Sequence, residues 1–245
     1  MDAVVLLSGG MDSTTALAQA LRDGAETVLA LTFDYGSMHA LKEQAAAKRV
    51  VEHYQGKVKG RQVIHQTFSL NEIMFHNSGS SLMGESEIPD EEYHDVEKES
   101  PSSTVVPYRN AVLISNAVAF AASRKYDRVY VAVHASDAQG FAYPDCTPEF
   151  IGNMVSAAYI GTHKQVRLVS PFQWMTKSEI VERAVNLWAP LQLTWSCYRG
   201  WEIACGNCPT CRERIQAFRE AGYEDPIPYS IPVHYELTTR SWPLE

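Results

Sequence analysis

Four cysteines near the carboxyl end of the chain have the spacing of a metal site. They are Cys197, Cys205, Cys208 and Cys211, in the pattern C-x7-C-x2-C-x2-C. Four thiolates in a tetrahedral array suit Zn²⁺, and such a closed site is structural because it leaves no position for a substrate. An iron–sulfur cluster takes similar ligands, but the spacing of a bacterial ferredoxin is not matched. We predict one structural Zn²⁺ per chain, with an iron–sulfur cluster as the alternative and a disulfide pair behind both.

A second candidate site is the stretch Ser8-Gly9-Gly10-Met11-Asp12-Ser13-Thr14. It stands between an apolar run at 3–7 and an Ala- and Leu-rich stretch at 15–22, which indicates a buried strand, a glycine turn and a helix. Adjacent glycines let the backbone approach a ligand, and the unpaired N–H groups of a helix start suit a phosphate. The expected caps of that helix are Asp12, Ser13 and Thr14. The residues alone leave an ordinary strand–turn–helix equally open.

Two cations elsewhere could serve an anionic ligand. Arg109 begins an apolar stretch that indicates a buried helix, where a guanidinium needs either a ligand anion or an acidic side chain. Lys177 lies at the start of a helix that a Thr176–Glu179 capping box opens, an unfavourable place for a cation. A nearby phosphate would remove that disadvantage, which makes Lys177 a candidate for ligand binding.

A polar and aromatic loop after a fourth strand at 128–133 carries further candidates. Tyr143 could stack on a planar ring, and Asp137 or Asp145 could accept hydrogen bonds from a base or hold Mg²⁺. All three could instead serve the turn around Pro144. Cys146 could be a nucleophile, although a lone cysteine is more often a small buried apolar residue.

Strands and helices alternate along the amino-terminal half of the chain. Apolar runs at 27–34 and 62–68 indicate further strands, separated by a helical pattern at 37–54. This alternation predicts an α/β fold with a mostly parallel sheet, whose ligands sit at the carboxyl ends of the strands. Residues 8–13 and Asp34 would lie at that edge. We interpret the acidic segment at 71–103 as a solvated insertion rather than a lid over the site.

The composition is that of a globular protein with a substantial core. The chain has 245 residues, of which 45% are hydrophobic and 20% charged, and a net charge of −8. That charge argues against binding nucleic acid through its phosphates. No apolar run is long enough to span a bilayer, and the run at 3–7 is too short for a signal peptide. We therefore expect a cytoplasmic protein with neither a membrane nor a nucleic-acid partner.

Together these motifs resemble one enzyme family. The stretch at 8–13 looks like the PP-loop of the N-type ATP pyrophosphatases, which cleave ATP to AMP and pyrophosphate. Within that superfamily the chain is similar to the QueC family of 7-cyano-7-deazaguanine (preQ0) synthases. Besides the PP-loop, the motifs that carry the likeness are Pro107-x-Arg109-Asn110, Tyr143-Pro144-Asp145-Cys146, Trp174-x-x-Lys177-x-Glu179, the four clustered cysteines and Gly222-Tyr223-Glu224-Asp225-Pro226.

The resemblance implies a Rossmann-like fold of the adenine nucleotide alpha hydrolase (HUP) type. A PP-loop domain would occupy residues 1–190 and a small zinc-binding region residues 191–245. The implied activity is that of a ligase using ATP and Mg²⁺ on 7-carboxy-7-deazaguanine and ammonia. It would form preQ0 through an acyl-adenylate and an amide, on the route to queuosine. A homodimer is also implied.

The resemblance further implies roles for individual residues. The catalytic residues would be Asp12, Arg109 and Lys177. No covalent nucleophile is required, although Cys146 stays a candidate. The ATP-binding residues would be Leu7, Ser8, Gly9, Gly10, Met11, Asp12, Ser13, Thr14, Thr15, Ala16, Leu17 and Asp34. The substrate-binding residues would be Tyr35, Arg109, Asp137, Tyr143 and Asp145.

Three stretches depart from the usual pattern of that family. Tyr108 stands where glycine is usual, residues 36–39 read Gly-Ser-Met-His where Gln-Arg-His is commoner, and the loop at 134–142 is longer or differently filled. An alternative hypothesis is therefore a QueC-like paralogue in a specialised-metabolite, phage or defence pathway. It would use the same adenylation with another acceptor or stop at the amide. A tRNA-modifying relative and a zinc-stabilised interaction module are further alternatives.

Overall fold

The computed structural model describes residues 1–70, 74–84, 86–88, 102–134, 136–138, 142–236 and 239–243. Five strands alternate with helices in this part of the chain: β1 (Asp2–Leu6), β2 (Thr27–Asp34), β3 (Gln62–Ser69), β4 (Arg128–Tyr130) and β5 (Arg167–Val169). The helices are α1 (Met11–Arg22), α2 (Ala40–Tyr54), α3 (Arg109–Arg124), α4 (Pro148–Gly161), α5 (Lys177–Asn186) and α6 (Pro209–Glu220). Short 3₁₀ turns occur at Ser81–Met83, Pro144–Cys146 and Leu191–Leu193.

The strands form one parallel sheet in the order β3-β2-β1-β4-β5. Val4 of the central β1 lies opposite Leu29 of β2 on one side and Val129 of β4 on the other. The chain first builds the sheet outward on one side of β1 and then continues on the other side. Ligands of such sheets bind outside the carboxyl ends of the strands at this reversal. The predicted parallel α/β fold is confirmed, and the turn after β1 lies at the place expected for a ligand.

The sheet is buried on both faces, as its apolar strands require. Ala3 and Val5 of β1 belong to an apolar cluster that α1, α2, α5 and α6 cover. Val4 belongs to a second cluster, covered by α3 and α4. Because the faces are occupied by helices, the ends of the strands remain as the place for a ligand.

Some predicted boundaries are wrong by a few residues. α1 begins at Met11 with Gly10 as its N-cap, so the expected caps at 12–14 lie inside the helix. The sequence favours a helix over residues 212–221 after the cysteines, whereas α6 begins at Pro209, a residue that suits the first turn of a helix because it has no N–H to satisfy. β4 ends at Tyr130, where its pairing with β5 also ends.

The carboxyl-terminal region packs against the sheet domain. Two isolated bridges, Ala204 to Tyr229 and Tyr223 to Arg240, order this part of the chain. The backbone N–H of Trp195 donates to the carbonyl of Gly9 at 2.9 Å, so the region after residue 190 contacts the glycine turn directly. A domain boundary at 190 remains a prediction.

Most of the acidic stretch within 71–103 lies outside the described residues. The structure describes 74–84, 86–88, 102 and 103 of this segment, and Leu82 in it is buried. The interpretation as a solvated insertion remains a prediction. In the part of the chain that the structure describes, no helix has the length and apolar character needed to cross a membrane.

Candidate active site

The turn between β1 and α1 approaches a neighbouring helix closely. Gly9 has φ +84°, and a Cβ there would lie 2.6 Å from both the backbone N of Ala47 and the carbonyl O of Glu43 in α2. Glycine is therefore required at this position. Gly10 follows as the N-cap of α1, without a side-chain cap. The helix start thus keeps N–H groups for an anion such as a phosphate.

Two serine hydroxyls line this turn. Ser8 Oγ accepts a hydrogen bond from the N–H of Gly10 at 3.2 Å and lies 3.1 Å from Ser13 Oγ. Ser13 Oγ donates to the carbonyl of Gly10 at 3.2 Å. Ser8 Oγ accepts from Gly10, and its own proton can point either to Ser13 Oγ or to a bound anion. The hydroxyls therefore complement the backbone N–H groups of the helix start.

Lys177 is held between two carboxylates at the start of α5. Its Nζ lies 2.7 Å from Glu213 Oε2 and 3.4 Å from Asp12 Oδ2. The predicted capping box between Thr176 and Glu179 is present and fixes this helix start. Burial works to lower the pKa of Lys177, but the carboxylates of Asp12 and Glu213 outweigh it and raise the pKa well above its usual value. Lys177 is consequently a fixed cation at neutral pH.

His134 follows β4 and is fully buried beside two carboxylates. Its Nε2 lies 3.4 Å from Asp137 Oδ2 and 3.8 Å from Asp12 Oδ2. Neither ring nitrogen makes a hydrogen bond within the described part of the chain, and Asp12 Oδ1 is likewise buried there without a partner. Buried polar atoms without partners are costly. His134 is thus enclosed by the protein, and Asp12 and Asp137 carry the negative charge of this part of the site.

Arg109, the first residue of α3, lies against an aromatic side chain. Its Nη1 donates to Tyr35 Oη at 3.2 Å, and its guanidinium carbon lies 5.6 Å from the centre of the Tyr35 ring. Burial opposes the charged form, but Tyr35, Tyr198 and Asp145 raise the pKa of Arg109 above its usual value. Burial also raises the pKa of Tyr35. Arg109 therefore stays cationic beside a neutral phenol.

Apart from His134, which is fully buried, these groups line one cleft of about 260 Å³ at the carboxyl edge of the sheet. The glycine turn, the three predicted catalytic side chains and most of the predicted substrate-binding side chains share this space. Their individual assignments to ATP or to substrate remain predictions. The predicted residues that line the cleft are Leu7, Ser8, Gly10, Met11, Asp12, Ser13, Tyr35, Arg109, Asp137, Tyr143 and Lys177.

The remaining residues assigned to ATP are not among those that line the cleft. Thr14, Thr15, Ala16 and Leu17 are buried along α1. Asp34 orders the turn after β2, because its Oδ1 accepts from the N–H of Gly36 at 3.1 Å. Its Oδ2 accepts from the side-chain amide of Gln44 at 2.9 Å. Together with Gly9, these residues support the walls of the cleft from behind.

Asp145, assigned to the substrate, lies at the start of α3. Its Oδ2 accepts from the backbone N–H of Asn110 at 2.9 Å. A carboxylate is favourable there because it meets the positive end of the helix dipole. Asp145 thereby positions Arg109, the neighbour of Asn110, and borders a second pocket together with the exposed Tyr108.

Sequence reasoning missed cleft residues that are far apart in the chain. Glu213, His39 and Tyr198 line the cleft, and His134 lies directly behind it. The one available signal for Glu213 was its place two residues after Cys211, on a helix that a metal site would fix. Burial raises the pKa of Glu213 while Lys177 opposes this effect.

The four predicted metal ligands converge. Their ligand atoms all lie within 4.8 Å of one another, and all four side chains are buried. Gly206 makes the turn between them with φ +79°, and a Cβ there would lie 2.5 Å from Ile231 Cγ1. The backbone N–H of Cys208 donates to Cys205 Sγ at 3.3 Å. All five cysteines are free in this structure, and the four converging buried thiols fit a metal ion.

Helix α6 joins the cysteine cluster to the cleft. Cys208 is its N-cap, and Glu213 one turn later reaches Lys177. The next residue, Arg214, is 1% exposed and donates to both carboxylate oxygens of Asp225 at 2.7 and 2.9 Å. The geometry of the metal site and that of the cleft therefore depend on the same helix.

A parallel sheet with a glycine turn, a free helix start and two cations at its carboxyl edge defines a nucleotide-binding α/β protein. A family model described as "Queuosine biosynthesis protein QueC" matches residues 2–222. The chain belongs to the QueC family, which confirms the resemblance drawn from its motifs.

Curated relatives match along nearly their whole length. The 7-cyano-7-deazaguanine synthase 1 of Colwellia psychrerythraea is 41% identical over 92% of this chain and 97% of its own. The 7-cyano-7-deazaguanine synthase of Pseudoalteromonas atlantica is 38% identical over 92% of this chain and 97% of its own. That of Methanoculleus marisnigri is 41% identical over 93% of this chain and 98% of its own.

Proposed function

We propose that this protein is a 7-cyano-7-deazaguanine synthase. It converts 7-carboxy-7-deazaguanine and ammonia into the nitrile preQ0 and cleaves ATP to AMP and pyrophosphate. The observation that carries the proposal is the single cleft that joins the glycine turn to Asp12, Arg109 and Lys177 in a chain of this family. Relatives 38–41% identical to it are named for this activity.

The chemistry explains why such a cleft is needed. A carboxylate is a poor electrophile, and its attack on the α-phosphate of ATP turns its oxygen into a leaving group. The helix start, Ser8 and Ser13 hold the departing pyrophosphate, while Lys177 and Arg109 offset the charge that develops. Ammonia displaces AMP to give the amide. A second adenylation at the amide oxygen, followed by loss of AMP, leaves the nitrile.

The planar substrate is assigned to the same cleft. Tyr143 and Tyr35 lie on its walls and offer aromatic surface, and Asp137 offers a carboxylate for the N–H groups of a purine-like edge. Arg109, held against Tyr35, faces the substrate carboxylate in this assignment. The ring, the carboxylate and the nucleotide would then meet beside Lys177.

Two metal ions belong to the proposal. Four buried thiolates suit Zn²⁺, which would be held by the cysteine cluster in a structural role. Asp12, with its buried and unpartnered Oδ1 in the described chain, would hold Mg²⁺, which supplies charge neutralisation for the phosphates. A homodimer in the cytoplasm is part of the same proposal, and size-exclusion chromatography with light scattering tests the dimer.

Product analysis tests the proposed function. The purified protein is incubated with 7-carboxy-7-deazaguanine, ATP, Mg²⁺ and ammonium chloride, and AMP, pyrophosphate, amide and nitrile are measured by liquid chromatography and mass spectrometry. We expect AMP, pyrophosphate and the nitrile. Accumulation of the amide alone would support the paralogue that stops there. Absence of both amide and nitrile would overturn the proposal.

A further inference from the structure

The segment at 70–108, which joins β3 to α3, contacts the half of the cleft that the proposed function assigns to the planar substrate. It leaves β3 at the carboxyl edge of the sheet and returns to that edge at the start of α3. Its residues Phe75 and Val106 belong to the same buried apolar cluster as Tyr35 and Tyr143. The described parts of this connecting segment are therefore built into the wall of the cleft.

Within the connecting segment, Thr104 contacts the hydroxyl of Tyr143. Thr104 Oγ1 and Tyr143 Oη share a hydrogen bond, and the hydroxyl of Ser102 lies 2.8 Å from Thr104 Oγ1. Thr104 is 0% exposed, whereas Tyr143 lines the cleft. A buried network whose hydrogen bonds are made restrains the side chains that belong to it. The hydrogen bond therefore fixes the far end of the Tyr143 side chain and, with it, the position of the ring at the cleft wall.

A 3₁₀ turn fixes the chain beside Thr104. The N–H and the hydroxyl of Ser81 in that turn both donate to the carbonyl of Ser103, at 2.8 and 3.2 Å. The carbonyl of Leu82 accepts from the N–H of Met38 at 3.0 Å. The turn therefore connects the residues that position Tyr143 to the loop after β2.

Phe75 contacts the other aromatic residue of the cleft. Its buried ring packs edge-on against Tyr35, with the ring centres 6.0 Å apart and the planes at 84°. Edge-to-face pairs of this kind are favourable beyond the apolar area that they bury. Tyr35 in turn accepts a hydrogen bond from Arg109 Nη1 at 3.2 Å. The packing of Phe75 therefore affects both an aromatic wall of the cleft and the cation assigned to the substrate carboxylate.

The nucleotide half of the cleft is fixed by other elements. Gly9 packs on α2, and its carbonyl accepts from the N–H of Trp195. A change in the connecting segment should therefore alter the binding of the planar substrate while the glycine turn keeps its shape.

We propose that Thr104 and Phe75 are positioning residues that set the affinity of the cleft for its planar substrate, Thr104 through Tyr143 and Phe75 through Tyr35. This inference rests on the proposed function, which assigns both tyrosines to 7-carboxy-7-deazaguanine. Neither positioning residue takes part in a chemical step. The connecting segment thereby determines substrate recognition, and the start of α1 determines nucleotide binding.

Variants of Thr104 test the hydrogen bond to Tyr143. Thr104→Val keeps the branched shape of the side chain and removes its hydroxyl, and Thr104→Ala is measured beside it, so that misfolding of one variant does not decide the result. AMP formation is measured while the acid substrate or ATP is varied. In both variants the KM of the acid should rise about tenfold, the scale of one lost hydrogen bond, while the KM of ATP changes less than about twofold. Thr104→Ser keeps the hydroxyl and should bring the KM of the acid within about threefold of wild type.

A double-mutant cycle tests whether Thr104 acts through Tyr143. Tyr143→Phe keeps the ring and removes the hydroxyl, so it should raise the KM of the acid as Thr104→Val does. Because the two hydroxyls act as a pair, adding Thr104→Val to Tyr143→Phe should raise that KM less than about twofold further.

Thr162→Val is the matched control for Thr104→Val. The hydroxyl of Thr162 donates to the carbonyl of Ala158 at 2.8 Å and accepts from the N–H of Val166 at 3.0 Å. It lies between α4 and the start of β5, at the edge of the sheet opposite the cleft. This variant should lower thermal stability and leave both KM values unchanged.

Phe75→Leu tests the second contact. The KM of the acid should rise about 2- to 10-fold, the range of an aromatic pair, with the KM of ATP unchanged. Phe120→Leu is the matched control, because Phe120 pairs edge-on with Phe68 at 5.4 Å and lies outside the residues that line the cleft. It should leave both KM values unchanged.

Three results would overturn the inference while leaving the proposed function intact. Equal rises in the KM of the acid and of ATP, or a rise that Thr104→Ser does not reverse, would assign Thr104 a structural role. Full additivity of Thr104→Val and Tyr143→Phe would show that Thr104 does not act through Tyr143. An unchanged KM of the acid in Phe75→Leu would contradict the role of Phe75. Absence of AMP formation from the acid substrate in the wild-type protein would instead overturn the proposed function, and the inference with it.

Discussion

At the scale of single residues, Asp12 contacts charged or titratable side chains from two other parts of the fold. Its Oδ2 lies 3.4 Å from Lys177 Nζ and 3.8 Å from His134 Nε2, while its Oδ1 is buried without a partner in the described chain. One carboxylate therefore contacts the cation of α5 and the imidazole behind β4. Because Lys177 keeps Glu213 as a partner at 2.7 Å, removal of Asp12 should affect chemistry more than folding.

Asp12→Ala should lower AMP formation by about 100-fold or more, the scale of losing an electrostatic group at a reacting centre. The fold and the metal content should remain as in wild type, because the cysteine cluster lies elsewhere. AMP release by chromatography and metal content by mass spectrometry check both. Persistent AMP release would show that Asp12 is wrongly assigned.

Cys146 is a residue whose environment argues against a nucleophilic role. Burial raises the pKa of its thiol well above the usual value, and Asp137 and Asp145 raise it further. The side-chain amide of Asn110 contacts Sγ at 3.3 Å. The thiol therefore stays protonated at neutral pH.

The raised pKa of Cys146 predicts an alkaline loss of stability. Between the usual thiol pKa and the higher value in the folded state, the folded chain binds more protons than the unfolded chain, so the free energy of unfolding falls as pH rises. Wild type should lose more stability than Cys146→Ser between about pH 8 and about pH 10. Urea unfolding of both proteins at the two pH values measures this. Equal losses of stability in the two proteins would contradict the raised pKa of Cys146.

At the scale of elements, the junction of β1, α1 and α2 decides the shape of the nucleotide loop. The backbone at Gly9 packs so closely on α2 that no side chain would fit there, and the N–H of Trp195 donates a hydrogen bond to the carbonyl of Gly9. The turn therefore contacts α2 on one side and the segment around Trp195 on the other. This contact also sets Gly10 as the N-cap.

Comparing Gly9→Ala with Gly24→Ala separates two costs of adding a Cβ. Gly24→Ala introduces backbone strain alone, and Gly9→Ala introduces backbone strain together with steric overlap. Both glycines have positive φ, but a Cβ at Gly24 meets nothing within 4 Å, whereas at Gly9 it would meet two backbone atoms at 2.6 Å. Gly24→Ala should cost about 1–2 kcal/mol of stability, the penalty of left-handed backbone for alanine. Gly9→Ala should cost a further ~1–3 kcal/mol, as overpacking does. Urea unfolding measures the stability of both variants. Equal losses of stability would contradict the close packing of Gly9 on α2.

At the scale of the whole molecule, α6 makes the carboxyl-terminal region part of the active site. The helix begins at the cysteine cluster, sends Glu213 to Lys177 and binds Asp225 through Arg214. Arg214 Nη1 also donates to Thr194 Oγ1 at 2.7 Å, next to the segment that holds Gly9. The region after residue 190 therefore supports the cleft rather than standing apart from it.

Cys208→Ser should lower the metal content and the stability, because binding at a structural metal site is coupled to folding. Adenylation should fall with it, since α6 also carries Glu213. Metal content by mass spectrometry and thermal unfolding check this, with Cys146→Ser as the thiol control that keeps its metal. Unchanged metal content would show that the cluster is not the metal site.

Asp225→Asn should destabilise the protein by about 3–5 kcal/mol, the usual cost of breaking a buried ion pair from one side. The Arg214 and Asp225 side chains are 1% and 0% exposed, so the remaining guanidinium cannot turn to water. Glu224→Gln, at an exposed neighbour, is the control and should have little effect. Denaturant unfolding measures both, and equal stabilities would show that the pair contributes little.

The sequence by itself determined the features that depend on neighbouring residues. The strand–turn–helix at 2–22, the capping box at Thr176, the cysteine spacing and the alternation that builds a parallel sheet are all local patterns. The motifs at 8–13 and 143–146 also indicated the family. Local secondary structure can be predicted from the sequence in this way because it follows from the backbone preferences of neighbouring residues and from the spacing of apolar residues.

Only the tertiary structure decided which distant side chains meet. Glu213 reaches Lys177, and Asp12 reaches both Lys177 and His134, across gaps in sequence that no local pattern spans. The start of α1 at Met11 was also decided this way, because packing of Gly9 on α2 set the turn before it. The local sequence sets which positions carry a charge or cap a helix. Which residue each charged side chain contacts depends on how the helices pack around the carboxyl ends of the strands.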